Sequence, residues 1–232
     1  MNSTTPSNVT LPFRILLFLC GAMLAAVLFV PMWRIELNAP QYPEGLTLLI
    51  YPNKIGGNVD IVNGLNHYIG MKTLHTEDFL EFKILPYIIS LFSLAFIITG
   101  FLKSRKVMLG LFISFVLFGI IAMADFWKWE YDYGHNLNPD AAIIVPGMAY
   151  QPPLIGFKQL LNFGAYSIPD LGGWLFVSSG LILLTCLFFT RKKKASLKGK
   201  IAAIIALFLG ASVLTSCNKG PEPLKLGKDN CA

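Results

Sequence analysis

Each of the three histidines of this chain has a methionine nearby in the sequence. His67 and His75 flank Met71, and His135 is followed by Met148. His67, Met71 and His75 are spaced four residues apart, and a helix would place them on one face. Imidazole with thioether suits copper, because soft sulfur favours Cu(I) and imidazole accepts either oxidation state. The pattern therefore predicts a copper site formed by His67, Met71 and His75, with His135 and Met148 as further candidate ligands.

The same residues also have a purely structural explanation. His67 and His135 would be hydrogen-bonded inside a folded region, and Met71 would fill a gap in its packing. Gly70 weakens the assumption that this stretch is helical. Sequence alone leaves both interpretations open.

Two of the four cysteines lie in a polar tail, where a thiol can do chemistry. Cys20 and Cys186 fall inside apolar runs and are predicted to pack as small hydrophobic residues. Cys217 completes the sequence Leu-Thr-Ser-Cys, which resembles a bacterial lipobox, so we expect a lipid on this cysteine. The alternative is an ordinary fifth helix whose last residue happens to be cysteine.

Long apolar runs predict an integral membrane protein. The chain is 54% hydrophobic and 14% charged, which is too little polar surface for a soluble domain of this size. A spanning helix needs about 20 apolar residues. Backbone polar groups inside lipid must be paired within the segment, so the predicted fold class is all-α. Four runs qualify as spans: Ile15 to Trp33, Ile84 to Leu102, Val107 to Ala124, and Leu171 to Phe189.

Clusters of Lys and Arg predict the orientation of these spans. One cluster separates the second and third spans at residues 103–106, and another follows the fourth span at residues 191–200, so both are expected in the cytoplasm. The N-terminus is then cytoplasmic, the C-terminus is periplasmic, and the membrane is the bacterial inner membrane. The loops from Arg34 to Lys83 and from Asp125 to Asp170 lie outside, where we expect them to form one small cap. The positions of the tryptophans support this orientation, because an indole ring at the membrane surface can bury its apolar body and keep its N–H in water. All four lie at the predicted outer boundary: Trp33, Trp127, Trp129 and Trp174.

The chain divides into two predicted domains. Residues 1–190 form the four-helix membrane domain with its cap. Residues 191–232 hold the basic turn, a short apolar run from Ile201 to Leu214, the lipobox and a polar tail. That apolar run is too short to span comfortably and has the proportions of a signal-peptide core.

Several function classes are disfavoured. The net charge of +6 sits in clusters beside apolar runs, so membrane lipid is the expected partner and nucleic acid is not. No acid and base pair, Ser and His arrangement or phosphate-binding glycine loop is present, so we expect no enzyme. The spans carry no ionisable residue near mid-membrane to mark a transport path, and no histidine that would ligate a haem.

The tail from Cys217 to Cys231 resembles the start of NosL-type lipoproteins. These are copper-binding accessory proteins of nitrous oxide reductase maturation, in which a Cys-x-x-Cys pair follows a Gly-Lys-Asp step. Here Gly227, Lys228 and Asp229 precede Cys231, and the second cysteine of the pair is missing. Either the chain is a truncated fusion, or the tail serves only as a lipid anchor and tether.

The four-helix part is similar to membrane proteins encoded beside NosL in the nitrous oxide reductase gene clusters of Bacteroidota. The segments 66–71 (Asn-His-Tyr-Ile-Gly-Met) and 133–136 (Tyr-Gly-His-Asn) carry this resemblance. It implies an accessory protein that handles copper and helps to mature an extracytoplasmic copper enzyme, nitrous oxide reductase, together with other maturation factors. Cys231 would then pass or accept the metal by thiolate exchange.

A rival prediction is a membrane anchor or assembly subunit that binds no metal. The proline-rich segment 145–153 lies close in sequence to Tyr131, Tyr133 and Tyr150. Proline restricts the backbone and aromatic rings supply contact area, so this segment would dock a periplasmic partner or act as a structural strap.

Overall fold

Three helices of the described chain are long and apolar enough to cross a membrane. A computed structural model describes residues 11–160 and 162–190. The three helices are α3 (Glu81–Leu102), α4 (Arg105–His135) and α5 (Leu171–Thr190), and they coincide with the second, third and fourth predicted spans. The predicted segment from Ile201 to Leu214, together with Cys217 and Cys231, lies outside the described residues.

The first predicted span is an apolar helix, α1 (Leu11–Val27), that ends before the predicted boundary at Trp33. Its last turn is followed by three backbone bonds of the i to i−3 type, the first from Leu28 to Ala25 at 3.3 Å. Pro31 then blocks further helix, because proline has no N–H and its ring clashes with the preceding turn. The chain continues directly into a strand, β1 (Trp33–Ala39).

Helix α4 is longer than a membrane requires. Its 31 residues extend for about 46 Å at 1.5 Å per residue, whereas the hydrocarbon core is about 30 Å thick. We call residues 107–124 the membrane segment of α4 and residues 125–135 its cap segment. The cap segment was predicted as loop, and it is the part of the helix that builds the candidate site.

The prediction of an all-α fold is wrong, because the outer loops contain a five-stranded antiparallel sheet. The sheet order is β3-β2-β1-β5-β4, so strands from both loops join at the pairing of β1 with β5. The protein is therefore a mixed α/β structure, with helices and a sheet. The remaining strands are β2 (Tyr42–Ile50), β3 (Ile55–Gly57), β4 (Gly156–Leu160) and β5 (Phe163–Pro169).

Alternation of apolar and polar residues explains the first two strands. In β1, Ile35 is buried while Arg34 and Glu36 point the other way and form an ion pair at 3.4 Å. In β2, Leu46 and Leu48 are buried on the same face as Ile35. The period of two is the signature of a strand with one buried face, and the proline and glycine content of the loops concealed it.

A short amphipathic helix, α2 (Val59–Ile69), and the cap segment of α4 cover the apolar face of the sheet. One apolar cluster joins these elements. It contains Val62 from α2, Tyr133 from α4, Leu74 from the segment after α2, and the sheet residues Ile35, Leu46 and Leu48. Helix α2 ends at Ile69 and is capped by Gly70, whose φ of +78° places it in the left-handed region that closes many helices. The backbone of Asn138 donates to the Gly70 carbonyl at 2.8 Å, which ties the second loop to the end of α2.

In the membrane layer, α1 packs against both α3 and α5 through close contacts at small residues. A side chain at Gly21 would meet Ile97 at 2.7 Å. The Ser93 hydroxyl donates to the Gly21 carbonyl at 2.7 Å, so the two helices are joined by a hydrogen bond where they are closest.

Candidate ligand cavity in the cap

The cap encloses a cavity of about 420 Å³. It lies between the sheet, helix α2, the cap segment of α4 and the segment that precedes β4. Exposed residues at its mouth are Gln41, Tyr68, Ile143 and Asn162, whereas most of the deeper lining is buried. A cavity of this size is in the range that small organic molecules occupy in proteins.

Glu130 is the residue that makes this cavity unusual. Its side chain is fully buried at 0% exposure, and neither carboxylate oxygen has a hydrogen-bond partner. Burial raises the pKa of Glu130 to about 8, and the positive charge of Lys158 on β4 opposes that rise. The Lys158 ammonium donates instead to the Gln151 carbonyl at 3.0 Å. Glu130 is therefore an uncompensated carboxyl group held against an open space.

Tyr150 supplies a second polar group without a partner. The side chain is 2% exposed, lines the cavity and has no hydrogen-bond partner for its hydroxyl. The backbone of Tyr150 donates to the Gly134 carbonyl at 2.9 Å, which fixes this segment against the end of α4. Most buried polar groups in proteins are hydrogen-bonded, so unpaired groups on Glu130, Tyr150 and Trp129 at one cavity indicate a place for a ligand.

The helical spacing of the cap segment explains how these groups come together. Residues four apart lie on the same side of a helix. Glu130 follows Phe126 at this spacing and Tyr133 follows Trp129, so all four residues share the side of α4 that faces the sheet. The rings of Trp129 and Tyr133 are 5.1 Å apart. The Trp129 indole N–H lies near the Tyr133 hydroxyl but outside hydrogen-bonding geometry.

The first three predicted copper ligands do not lie on one helix. His67 lies exposed on α2, which ends at Ile69, so Met71 and His75 are beyond the helix that was expected to align them. Met71 lines the cavity and packs against its apolar cluster. His75 is exposed just before a short 3-10 helix at Thr76–Asp78.

The other predicted ligands also lie in different surroundings. His135 is exposed at the end of α4, where its ring stacks on Tyr131 at 3.9 Å and its Nδ1 lies 2.9 Å from the Tyr131 carbonyl. Met148 is half-buried in the segment before Tyr150. Within residues 11–160 and 162–190, no three His, Cys, Asp or Glu side chains are grouped to hold a metal ion. The copper assignments stay predictions, and so does the lipid on Cys217.

The predicted docking segment has mixed exposure. Tyr131 is exposed, whereas Tyr133 and Tyr150 are buried and face the cavity. Large exposed apolar side chains in the loop between α4 and β4 are those of Ile143, Ile144, Val145 and Ile155. A partner would therefore meet these aliphatic residues and not Tyr150.

The sequence analysis did not identify Glu130 as a candidate binding residue. A usable signal was present. Aromatic residues at 126, 129 and 133 continue the three-and-four spacing of the third span beyond its apolar end, and Glu130 falls within that stripe. A carboxylate on the apolar face of a continuing helix indicates either a buried pair or a binding group.

Comparison of this chain with protein-family models, with curated proteins and with solved structures finds no match. Its function is therefore inferred from the chemistry of its own residues. The cap cavity is the place where the described residues offer binding groups that the fold itself does not use.

Proposed function

We propose that this protein is a membrane-anchored binding protein whose cap takes up a small ligand. The observation that carries the proposal is Glu130, a fully buried carboxyl group with both oxygens unpartnered in the wall of a cavity. An unsatisfied buried polar group costs about 1–3 kcal/mol, and more if it is charged. A ligand that pairs with Glu130 and Tyr150 would recover this energy, which favours binding.

The proposed location is the bacterial inner membrane with the cap in the periplasm. Lys103, Arg105 and Lys106 lie at the junction of α3 and α4, whereas the cap follows the other ends of these helices. Positive residues collect on the cytoplasmic side, which supports this orientation. The membrane helices then act as an anchor that holds the binding site at the outer surface.

Copper handling for nitrous oxide reductase is the second proposal, based on the resemblance of the tail and the helical part. The placement of Met71 in the cavity lining favours it, since a thioether in a protected pocket suits transient Cu(I) binding. His67 would have to approach from the exposed side of α2 to join it.

The cavity proposal is tested by thermal unfolding of the purified protein in detergent with a panel of small cations, anions and neutral molecules. A ligand at 100 times its Kd stabilises by about 2.7 kcal/mol. Ala39 lines the cavity, so Ala39→Phe should fill it and remove the stabilisation. Ala26, exposed on α1, provides the matched control Ala26→Phe, which should bind as wild type. Stabilisation that persists in Ala39→Phe would contradict the proposal.

The copper proposal is tested separately by competition with a Cu(I) chelator under reducing conditions. Wild type should bind about one equivalent, and a His67→Ala, Met71→Ala double variant should lose it. A folded wild type that binds no Cu(I) would eliminate the copper role without affecting the cavity proposal.

A further inference from the structure

We propose that the ligand of the cap cavity is an organic ammonium ion, with its charge on Glu130 and its apolar body against the aromatic walls. The inference rests on the proposed function, because it names the ligand class of the same cavity. Three features of the described structure support it: the charges around the cavity, the rings that line it, and the chemistry of its mouth.

The cavity lining contains one charged side chain, that of Glu130. Neighbouring charges on the surrounding elements are engaged elsewhere: Lys158 with the Gln151 carbonyl, Lys72 with Asp132 at 3.1 Å, and Arg34 with Glu36 at 3.4 Å. An ionised carboxylate in a buried site needs a positive partner. Lys158 lies near enough to lower the pKa of Glu130, but its ammonium group is hydrogen-bonded to Gln151 and forms no ion pair with Glu130. A cationic ligand would supply the missing charge.

Six aromatic rings line the cavity that Glu130 also lines. The face of an aromatic ring attracts a cation within about 6 Å, and the attraction grows when the site is shielded from water. The rings also bury apolar ligand surface, so a carboxylate and aromatic faces together select a charged group attached to an apolar body. The rings in the lining are Tyr42, Tyr68, Trp129, Tyr133, Tyr150 and Phe163.

Among residues 11–160 and 162–190, the exposed residues of the cavity lining carry no charge. Gln41, Tyr68, Ile143 and Asn162 are its exposed residues, and none is basic. An anionic ligand would therefore meet no counter-ion at the mouth and a carboxyl group inside. The arrangement disfavours phosphate and carboxylate ligands and leaves neutral hydrogen-bonding molecules as the competing class.

The two remaining classes respond to pH in opposite directions. In the empty cavity burial raises the pKa of Glu130 to about 8, so the group is mostly protonated at neutral pH. An ammonium ion binds to the ionised form of Glu130, so binding releases a proton. The affinity for the ammonium ion therefore falls by up to about tenfold for each pH unit below the raised pKa. A neutral acceptor binds to the protonated form and loses affinity as pH rises. The other titratable groups of the lining are phenols, and burial also raises the pKa of Tyr133.

The test compares 2-phenylethylammonium with 2-phenylethanol, which have the same ring and chain but differ in charge. Isothermal titration of the full-length protein in detergent at pH 8.5 should give at least about tenfold tighter binding of the ammonium ion, or about 1.4 kcal/mol. Glu130→Gln should remove this preference and leave the affinity for the alcohol within about threefold. Glu36→Gln, on the outer face of β1, is the control and should keep the preference.

The results separate the two proposals. Equal binding of amine and alcohol by wild type, or a preference that survives Glu130→Gln, would overturn the ammonium inference and leave the cavity proposal intact. Absence of binding by both probes would also overturn it, while the panel experiment above decides whether the cavity binds anything. If Glu130→Gln fails to fold, the wild-type pH series replaces it: affinity for the ammonium ion must rise between pH 6 and pH 8.

Discussion

Two buried polar groups of the cap lack the hydrogen bonds that the buried hydroxyls of the membrane helices make, although Ser167 and Asn66 in the cap are paired. In the membrane layer Ser93 donates to the Gly21 carbonyl at 2.7 Å, and Thr99 and Ser179 donate to carbonyls one turn back at 2.7 and 2.9 Å. In the cap, Glu130 and the hydroxyl of Tyr150 are just as deeply buried and have no partner. Both regions belong to one chain, and α4 runs through both.

The difference follows from the surroundings of each region. Lipid offers no hydrogen bonds, so a hydroxyl in a membrane helix is stable only when the protein pairs it. In the proposed membrane placement the cap lies in water, and its own sheet and apolar core can hold an unpaired group in place. Unpaired polar groups in the cap therefore indicate a binding site, whereas the paired hydroxyls in the membrane indicate packing.

The largest expected effect is the pH dependence of cap stability. The Glu130 carboxyl group has a pKa of about 8 in the folded protein and 4.5 in the unfolded chain. Its contribution to the free energy of unfolding is therefore at its maximum below pH 4.5, where the group is protonated in both states. This stability is lost as pH rises to 8, and the loss from pH 5 to pH 8 is at most about 4 kcal/mol. Urea unfolding of the ligand-free protein at several pH values should show the decline, and Glu130→Gln should flatten it.

Asp132→Asn is the control for that series. Asp132 is exposed, and its hydrogen bond from Lys72 lowers its pKa, so its contribution is lost only on acidification below its ordinary pKa. The variant should keep the slope between pH 5 and pH 8. A wild-type stability that does not change over this range would contradict the buried state of Glu130.

The next effect concerns two glycines at opposite ends of α4. A Cβ at Gly134 would lie 2.4 Å from the Gln151 nitrogen and 2.5 Å from its Cα, so backbone must move to admit it. Gly134→Ala should destabilise the protein by about 2–3 kcal/mol and weaken ligand binding. Gly110 has nothing within 4 Å, and Gly110→Ala should be neutral or stabilise by up to about 1 kcal/mol. Thermal unfolding in detergent measures both, and equal effects would remove the contrast.

A smaller effect distinguishes paired from unpaired hydroxyls. Ser93→Ala removes a hydrogen bond between two membrane helices and should cost about 1 kcal/mol. Tyr150→Phe removes a hydroxyl that has no partner, so it should leave the ligand-free protein unchanged or more stable by about 1 kcal/mol. The two variants are compared by their unfolding midpoints. A loss of stability in Tyr150→Phe comparable to that in Ser93→Ala would show that its hydroxyl is paired.

The smallest effect is expected at the surface of the cap. Lys72 and Asp132 form an ion pair at 3.1 Å, with side chains 54% and 45% exposed. Exposed pairs contribute about 0–1 kcal/mol and weaken with salt. Lys72→Ala should therefore change stability by less than about 0.5 kcal/mol at 0.15 M salt. A larger loss that persists at 1 M salt would place the pair in a more buried environment.

Sequence patterns were most informative in the membrane layer. Helices α3 and α5 match the predicted spans Ile84 to Leu102 and Leu171 to Phe189 within a few residues. The cap was harder, because a one-sided sheet needs only short alternating runs such as Ile35 to Leu37, and the surrounding Pro, Gly and Asn indicate loops. The expectation that His67, Met71 and His75 share one helix is not met, because α2 ends at Ile69, whereas the copper site itself stays a prediction.

By itself the sequence determined the apolar helices and their length, because covering about 30 Å of hydrocarbon requires one long apolar run that is visible without knowing its neighbours. Only the tertiary structure decided where β1 meets β5 and what α4 faces beyond the membrane. Pairing between strands more than a hundred residues apart leaves no local pattern. The burial of Glu130 depends on that pairing, so the candidate site became visible only in the folded chain.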